Sequence, residues 1–346
     1  MLSDHTTFHL GGPATKFVTA SSIDQVVSAV SAADRGGEPL LVLSGGSNLL
    51  VGDDGFAGTV VHITTKGIDA DVSGCGGAVV KVQAGEVWDD FVSHVIAWDW
   101  SGVETLSGIP GLVGSTPIQN VGAYGNEVAQ TIYQVRTLDR MTGQFRTFAN
   151  ADCGFGYRDS LFKQTRFGDP SSPTGRFVVL EVTFQLRLAS LSEPIRYAEL
   201  AKQLGVEVGQ RAPMTQVRET VLALRRSKGM VYDPTDHDSW SAGSFFTNPL
   251  LTPEQATKLP ADAPRFPQPD GRVKSSAAWL IEHAGFKKGH GTGRAGLSTQ
   301  HTLALTNRGD ATAEDVAGLA REVRDGVQAT FGVRLIPEPV VVGVEI

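Results

Sequence analysis

Ser244 lies in SAGSFFTNP, residues 241–249, with a glycine before it and two phenylalanines after it. A hydroxyl so placed can be a turn residue, a nucleophile or a proton donor. The GxSxG context that lifts a hydrolase nucleophile onto an elbow is missing. No histidine stands at a telling position beside it, although triad partners need not be close in sequence. Taken alone, Ser244 reads as a turn or capping residue. Arg158 in FGYRDSLF and Glu338 in IPEP read alone as a surface ion pair and a turn carboxylate, the common state of such side chains.

The glycine-rich segments carry more. SGGSN, residues 44–48, follows an apolar run, and successive N–H groups in such a turn form a concave nest for an anion. Five residues also fit a plain strand-ending turn. Residues 107–125, SGIPGLVGSTPIQNVGAYG, hold five glycines and two prolines with neither helical nor strand period. An irregular tract of this length is usually functional or disordered, and its isoleucines and valines argue against disorder. Its backbone amides, with Ser115, Thr116, Gln119 and Asn120, suit a large polar planar ligand that glycines let approach. GTGRAG, residues 291–296, matches GxGxxG, but a helix-like segment precedes it and a strand-like one follows. That order is the reverse of a dinucleotide fold and excludes the Rossmann reading.

The elements that must position these residues are legible in outline. Ser22 caps a helix with Gln25 at the capping-box position and Gly36 past its end. PLLVLSGGSNLLV runs as a strand into Gly45 and Gly46, and residues 58–63 form another. Val87, Phe91, Val95 and Trp98 share a helical face. A hairpin turns at residues 141–144. LEVTFQLRL alternates, with Leu180, Val182, Phe184, Leu186 and Leu188 on one face of a half-buried strand. Thr215 opens a helix, and Thr252 caps one with Pro253 at its first position and Gln255 in the box. A long amphipathic helix stops at Gly332, and the chain ends in a strand-like run.

Composition limits the function classes. The 346 residues are 41% hydrophobic and 19% charged, which suits an ordinary globular protein of two or three domains. A net charge of −7 argues against a general nucleic-acid binder. Two cysteines, Cys75 and Cys153, form no disulfide framework, and the eight scattered histidines form no metal-ligand pair. With no signal-peptide pattern and no apolar run of ~20 residues, a cytoplasmic protein with no membrane partner is expected.

TTFHLGGPA, LSGGSNLLV, IPGLVGSTPIQNVGAYG, FGYRDSLF, SAGSFFTNP and IPEP occur in the order found in the UDP-N-acetylenolpyruvoylglucosamine reductase (MurB) family. The resemblance runs from about Thr6 to Glu338. It implies an α+β, three-domain protein with a non-Rossmann FAD-binding fold of the PCMH/vanillyl-alcohol-oxidase-like kind and a substrate-binding α+β domain. The expected division is 1–65 with the C-terminal strand 334–346, then 66–210, both for FAD, and 211–333 for substrate. The expected partners are small molecules, NADPH and a UDP-sugar enolpyruvyl ether. Non-covalent FAD, no metal and a monomer working in peptidoglycan precursor synthesis are expected.

By the same resemblance, Ser44, Gly45, Gly46, Ser47, Asn48 and Leu49 cradle the FAD pyrophosphate. Gly114, Ser115, Thr116, Gln119, Asn120, Gly122, Ala123 and Tyr124 line the diphosphate and flavin. NADPH reduces FAD and leaves, and the enolpyruvyl substrate follows. Hydride then adds to the terminal vinyl carbon, and charge develops on the adjacent carbon. Against that carbanion-like centre a serine hydroxyl is acid enough, so Ser244 is expected to donate the completing proton. Arg158 meets the carboxylate that gathers charge. Glu338 is either protonated or polarises the substrate with its charge balanced by Arg158. Tyr157, Arg158, Tyr197, Lys228 and Asn248 contact substrate, Tyr197 closing over it. GMVYDPTDHDSW, residues 229–240, is longer than in some relatives, and His301 is given no role.

Two rival classes remain. An FAD-dependent oxidase on the same scaffold passes its electrons to oxygen; the absence of histidine from SGGSN counts against covalent flavin but not against oxidase chemistry. A non-catalytic flavin- or sugar-nucleotide-binding protein would leave Arg158, Ser244 and Glu338 dispensable.

Overall fold

The computed structural model describes residues 1–168 and 172–346. By internal packing the chain divides into two units. The larger contains residues 14–45 and 57–226; the other contains 1–13, 46–56 and 227–346. This packing division differs from the ligand-based division at residues 65 and 210. Among the described residues no helix is long and apolar enough to cross a membrane, and no cluster of histidine, cysteine or carboxylate side chains suits a metal.

In the larger unit, five strands run in the order Gln144–Ala149, Ile132–Asp139, Phe177–Leu188, Gly77–Gln83 and Ile68–Ser73, each antiparallel to its neighbour. Trp100–Ser101 extends this sheet by pairing with the end of Phe177–Leu188. One face carries Trp88, Phe91, Val92 and Val95 of the helix Trp88–Ala97, packed on Val82, Phe184 and Leu186. The other carries Val26, Val30 and Ala33 of the helix Ile23–Gly36, together with Leu40 and Val61. Each such Val, Leu or Phe side chain contributes roughly 1.5–3 kcal/mol by leaving water.

The central strand departs from the alternation. Register shifts at Leu180, because Arg136 pairs with Glu181 while Thr137 pairs with Val179. This bulge puts Leu180 with Val178 in one core and Val182, Phe184 and Leu186 in the other. A residue inserted into one strand reverses every side chain beyond it. Thr183 is buried, and Leu188, expected inside, is exposed. Thr183 is covered because this strand has neighbours on both edges and cores on both faces, whereas Leu188 is the strand's last residue, beyond both cores.

The helix Ile23–Gly36 is capped by the Ser22 hydroxyl, which accepts from the Gln25 N–H. Its end is Gly37, at φ 64°, one residue beyond the expected Gly36. Gln25 reaches back to Ser21 rather than to the cap. The helix Met214–Arg226 begins one residue before Thr215.

The second unit is built on the helix Ala313–Phe331, whose Thr312–Asp315 capping box and Gly332 stop fix both ends. Val316, Ala320, Val323 and Val327 face the helix Ala277–His283 and the hairpin Ala295–Leu297/Leu305–Asn307. Only Val340–Val342 of the C-terminal run is a strand; it lies parallel to Leu49–Val51. That pairing carries the chain end back beside the SGGSN turn.

Candidate active site

In the larger unit, residues 107–125 carry only a 3-10 turn at Val113–Ser115 and a short strand at Gly122–Ala123, and backbone bonds pin the rest. Gly114 donates to the Ala84 carbonyl at 2.9 Å and Val113 to Glu86 at 2.9 Å. A Cβ on Gly114 would stand 2.5 Å from that of Ala84, so glycine is required for the approach. The start of the tract is held by Asp89, which accepts from the Gly108 N–H at 2.6 Å and from both guanidinium nitrogens of Arg218 at 2.6 and 2.8 Å. Burial pushes the Asp89 carboxyl up, but the Arg218 and Gly108 hydrogen bonds outweigh it and hold the carboxyl below the usual carboxylate range.

This gives a pH-dependent prediction. A carboxyl depressed in the folded state stabilises above its unfolded pKa, and the effect fades as pH falls through the folded value. Asp89→Asn should cost about 2 kcal/mol near neutrality, the scale of a charged hydrogen bond. In urea melts the two proteins should stay apart down to about pH 4 and converge below it. Convergence already at pH 6 would contradict the assignment.

FGYRDSLF and the Lys163 that follows it are stitched to the same tract at four points. The Asn120 amide donates to Gly156 O at 2.9 Å, Ser160 Oγ to Ile118 O at 2.8 Å, Arg158 Nη2 to Gly122 O at 2.9 Å and Lys163 Nζ to Gln119 Oε1 at 2.9 Å. Lys163 Nζ also donates to Arg158 O at 2.8 Å. Asn120, Tyr124 and Arg158 all have positive φ, at 42°, 51° and 52°. Strain of this kind in non-glycine residues persists only where the surroundings impose it, and it collects at functional sites. Tyr157 stacks loosely under the Arg158 guanidinium, 5.8 Å from ring centre to Cζ. The Tyr124 ring stands edge-on to Tyr197 at 5.5 Å and 88°. Burial drives the Tyr124 hydroxyl up to about 12, so at neutral pH it keeps its proton. Tyr197 is exposed and immediately precedes the helix Ala198–Leu204.

Several expected side chains have structural bonds. Ser115 and Thr116 donate to the Leu112 and Val113 carbonyls, which leaves their oxygens able to accept. Asn120 has both amide hydrogens engaged: besides Gly156 it donates to Glu127, and its oxygen accepts from Ala129 N. It therefore serves the tract as a brace. The sequence reading passed over Lys163, which holds Gln119 and Arg158 together, and Arg225. Arg225 sits four residues after Val221, at a core-facing position of its helix, and donates to Gly108 O at 3.2 Å. Burial pulls its pKa down. A charge at an apolar-face position was the available signal.

In the second unit, Ser244 and Glu338 come together. Phe245 N donates to Leu303 O at 2.7 Å, and Glu338 N donates to Phe245 O at 2.8 Å. Phe246 and Pro337 pair as an antiparallel bridge. Gly243, at φ 69°, turns the chain into Ser244. The Ser244 side chain makes no hydrogen bond among the described residues, which removes the capping reading. Asn48 reaches the same strand end, donating through Nδ2 to Glu338 O at 3.3 Å, while Val340 N donates to Asn48 O at 3.0 Å. Asn248 Oδ1 accepts from Ala277 N at 2.9 Å at the start of the helix Ala277–His283. Lys228 is half-buried beside Gly229. Within residues 229–240, Tyr232 and Trp240 flank His9: its ring stacks on Trp240 at 4.0 Å, and its Nε2 lies 2.7 Å from Tyr232 Oη. Arg158 belongs to the larger unit.

The SGGSN turn fits a diphosphate. Ser44 Oγ is buried with no hydrogen-bond partner among the described residues. A Cβ on Gly45 would lie 2.6 Å from Gly111 Cα, and one on Gly46, at φ 60°, 1.8 Å from His5 O. Backbone alone can occupy this turn, and it leaves a hydroxyl to donate to an anion.

Comparison with known proteins agrees with this geometry. Residues 14–149 match the model of an FAD binding domain, and residues 233–342 match that of the UDP-N-acetylenolpyruvoylglucosamine reductase C-terminal domain. UDP-N-acetylenolpyruvoylglucosamine reductase of Cutibacterium acnes is 57% identical over 99% of this chain and 89% of its own. The Streptomyces coelicolor protein of that name is 54% identical over the same shares. The crystal structure of MurB from Thermus caldophilus superposes with a TM-score of 0.66 at 26% identity, covering 99% of this chain and 97% of that one. The fold is thus a multi-domain α+β FAD-binding fold.

Proposed function

The chain belongs to the UDP-N-acetylenolpyruvoylglucosamine reductase family, and from that premise we propose how its residues perform the reaction. The protein is an FAD-dependent oxidoreductase that reduces the enolpyruvyl double bond of UDP-N-acetylglucosamine enolpyruvate to give UDP-N-acetylmuramate. The hydride donor is NADPH, and the product enters peptidoglycan synthesis. Both nucleotides are charged and do not cross membranes unaided, which supports work in the cytoplasm.

FAD, when bound, supplies a hydride taken from NADPH. Residues 1–65 with 334–346, and 66–210, would hold it: Ser44 and the amides of Gly45, Gly46 and Ser47 would donate to its diphosphate, with Asn48 and Leu49 continuing the turn. Gly114, Ser115, Thr116, Gln119, Gly122, Ala123 and Tyr124 present backbone and side-chain groups to the rest. Residues 211–333 hold substrate, through Lys228 and Asn248, while Tyr157 and Tyr197 contact it from their own elements. Hydride reaches the terminal vinyl carbon, and the electron pair of the double bond moves to the adjacent carbon and into its carboxylate. Arg158, held at positive φ by Lys163 and Gly122, orients that carboxylate and balances its charge. Ser244 Oγ–H donates the proton to the adjacent carbon, completing addition of two hydrogens. Glu338 polarises the same centre.

The observation that carries this reading is the backbone pairing of the Ser244 and Glu338 segments: Glu338 N donates to Phe245 O and Phe246 bridges Pro337, which holds the residue with the unbonded hydroxyl and the carboxylate residue on adjacent backbone segments. The test is turnover. FAD-loaded protein should consume NADPH only when UDP-N-acetylglucosamine enolpyruvate is present and release a product heavier by two hydrogens. NADPH consumption that needs oxygen and ignores this substrate would favour the oxidase instead. Full-length relatives named as reductases support the former.

A further inference from the structure

A cavity of about 230 Å³ opens in the larger unit, lined by Ser101, Gly102, Asn126, Arg187, Glu193 and Arg196 among others. None of the residues assigned above to cofactor or substrate lines it. Its volume is that of roughly eight waters. The walls are fixed. Glu104, fully buried, accepts from Gly102 N at 2.7 Å through one carboxylate oxygen and from Glu193 N at 2.6 Å through the other. Ser101 pairs in register with Arg187, which sets a third wall. A space clamped in this way is preformed.

Its chemistry is unbalanced. The Ser101 side chain is 1% exposed, and its Oγ has no hydrogen-bond partner among the described residues. A buried hydroxyl left unbonded is costly, and a ligand that accepts from it recovers that cost. Arg187 lies 3.5 Å from Glu193, whereas Arg196 forms no ion pair among the described residues. Glu193 also lies 3.7 Å from Arg211, so three guanidiniums stand against the carboxylates of Glu193 and Glu104 and leave one formal positive charge. Guanidinium forks suit carboxylate and phosphate oxygens.

The cavity also touches the substrate machinery. Gly125, at φ 84°, packs so tightly on Arg196 that an added Cβ would stand 2.9 Å from the Arg196 Cβ. Tyr124 and Tyr197, the neighbours of these two residues, meet ring to ring. We propose that this cavity binds a small organic oxyanion, a phosphate or carboxylate on a body of a few carbons, and that its occupancy sets the position of Tyr197. The second half rests on the role given above to Tyr197; the first does not.

The test is calorimetric titration of the FAD-loaded protein with glycerol 3-phosphate and, separately, succinate. One of the two should bind saturably, undisturbed by UDP, and at least about tenfold more weakly in Arg196→Ala, a loss of about 1.4 kcal/mol. Arg187→Ala, at an exposed side chain, gives the same reading should Arg196→Ala fold poorly. The bound ligand should change KM for the enolpyruvyl substrate and leave NADPH-driven flavin reduction unchanged. No saturable heat from either probe, binding abolished by UDP, or binding untouched in both variants would overturn the site. Binding lost in Arg196→Ala with KM indifferent to the ligand would overturn only the coupling to Tyr197.

Discussion

Ser244→Ala leaves NADPH-dependent flavin reduction nearly intact and slows the reoxidation of reduced flavin by the enolpyruvyl substrate on the order of a hundredfold or more, the scale of a positioned proton donor. The asymmetry follows from the chemistry. Hydride transfer from NADPH moves no proton through this hydroxyl, whereas reduction of the vinyl group needs one at the adjacent carbon. Loss of a methylene-bound hydroxyl at a half-buried loop position leaves Phe245 and Phe246, both fully buried, in place. The strand pairing to Glu338 is made by backbone, so it survives too. Stopped-flow absorbance of the two half-reactions separates the outcomes. Equal losses in both halves would remove the proton-donor role and point to a general disturbance of the site.

Gly46→Ala costs about 3 kcal/mol or more and yields protein that purifies with less bound FAD. Two effects add there. The residue has φ 60°, and its new Cβ would stand 1.8 Å from the His5 carbonyl oxygen, a backbone atom that cannot step aside alone. Gly37 separates the two: its φ is 64°, but nothing lies within 4 Å of the Cβ position. Gly37→Ala should therefore cost only about 1 kcal/mol, the conformational part alone. Urea midpoints of the two variants compare them directly. Equal shifts would show that the turn is not close-packed against His5.

These residues also mark what the sequence could and could not disclose. Thr252 with Gln255, and the stop at Gly332, were legible because their bonds are local and stand where the residue types put them, whereas Gln25 turned to Ser21 and the helix Ile23–Gly36 ran one residue past its expected stop. The central strand misled because its bulge at Leu180 depends on neighbours distant in sequence. Alternation by itself cannot register an extra residue. The site motifs were recognisable as strings, yet their support was not. Lys163 holds both Arg158 and Gln119, the latter 44 residues away from it, and the side chain of Asn120, read as a ligand contact, bonds Glu127, Gly156 and Ala129. His9 carried no signal until Trp240 and Tyr232 closed on it from 223 or more residues away.

One measurement tests the central claim most directly: the anaerobic absorbance of the purified protein's flavin through a full cycle. The account predicts that the yellow band bleaches on addition of NADPH and returns, still without oxygen, on addition of UDP-N-acetylglucosamine enolpyruvate. Bleaching followed by recovery only in air would contradict it.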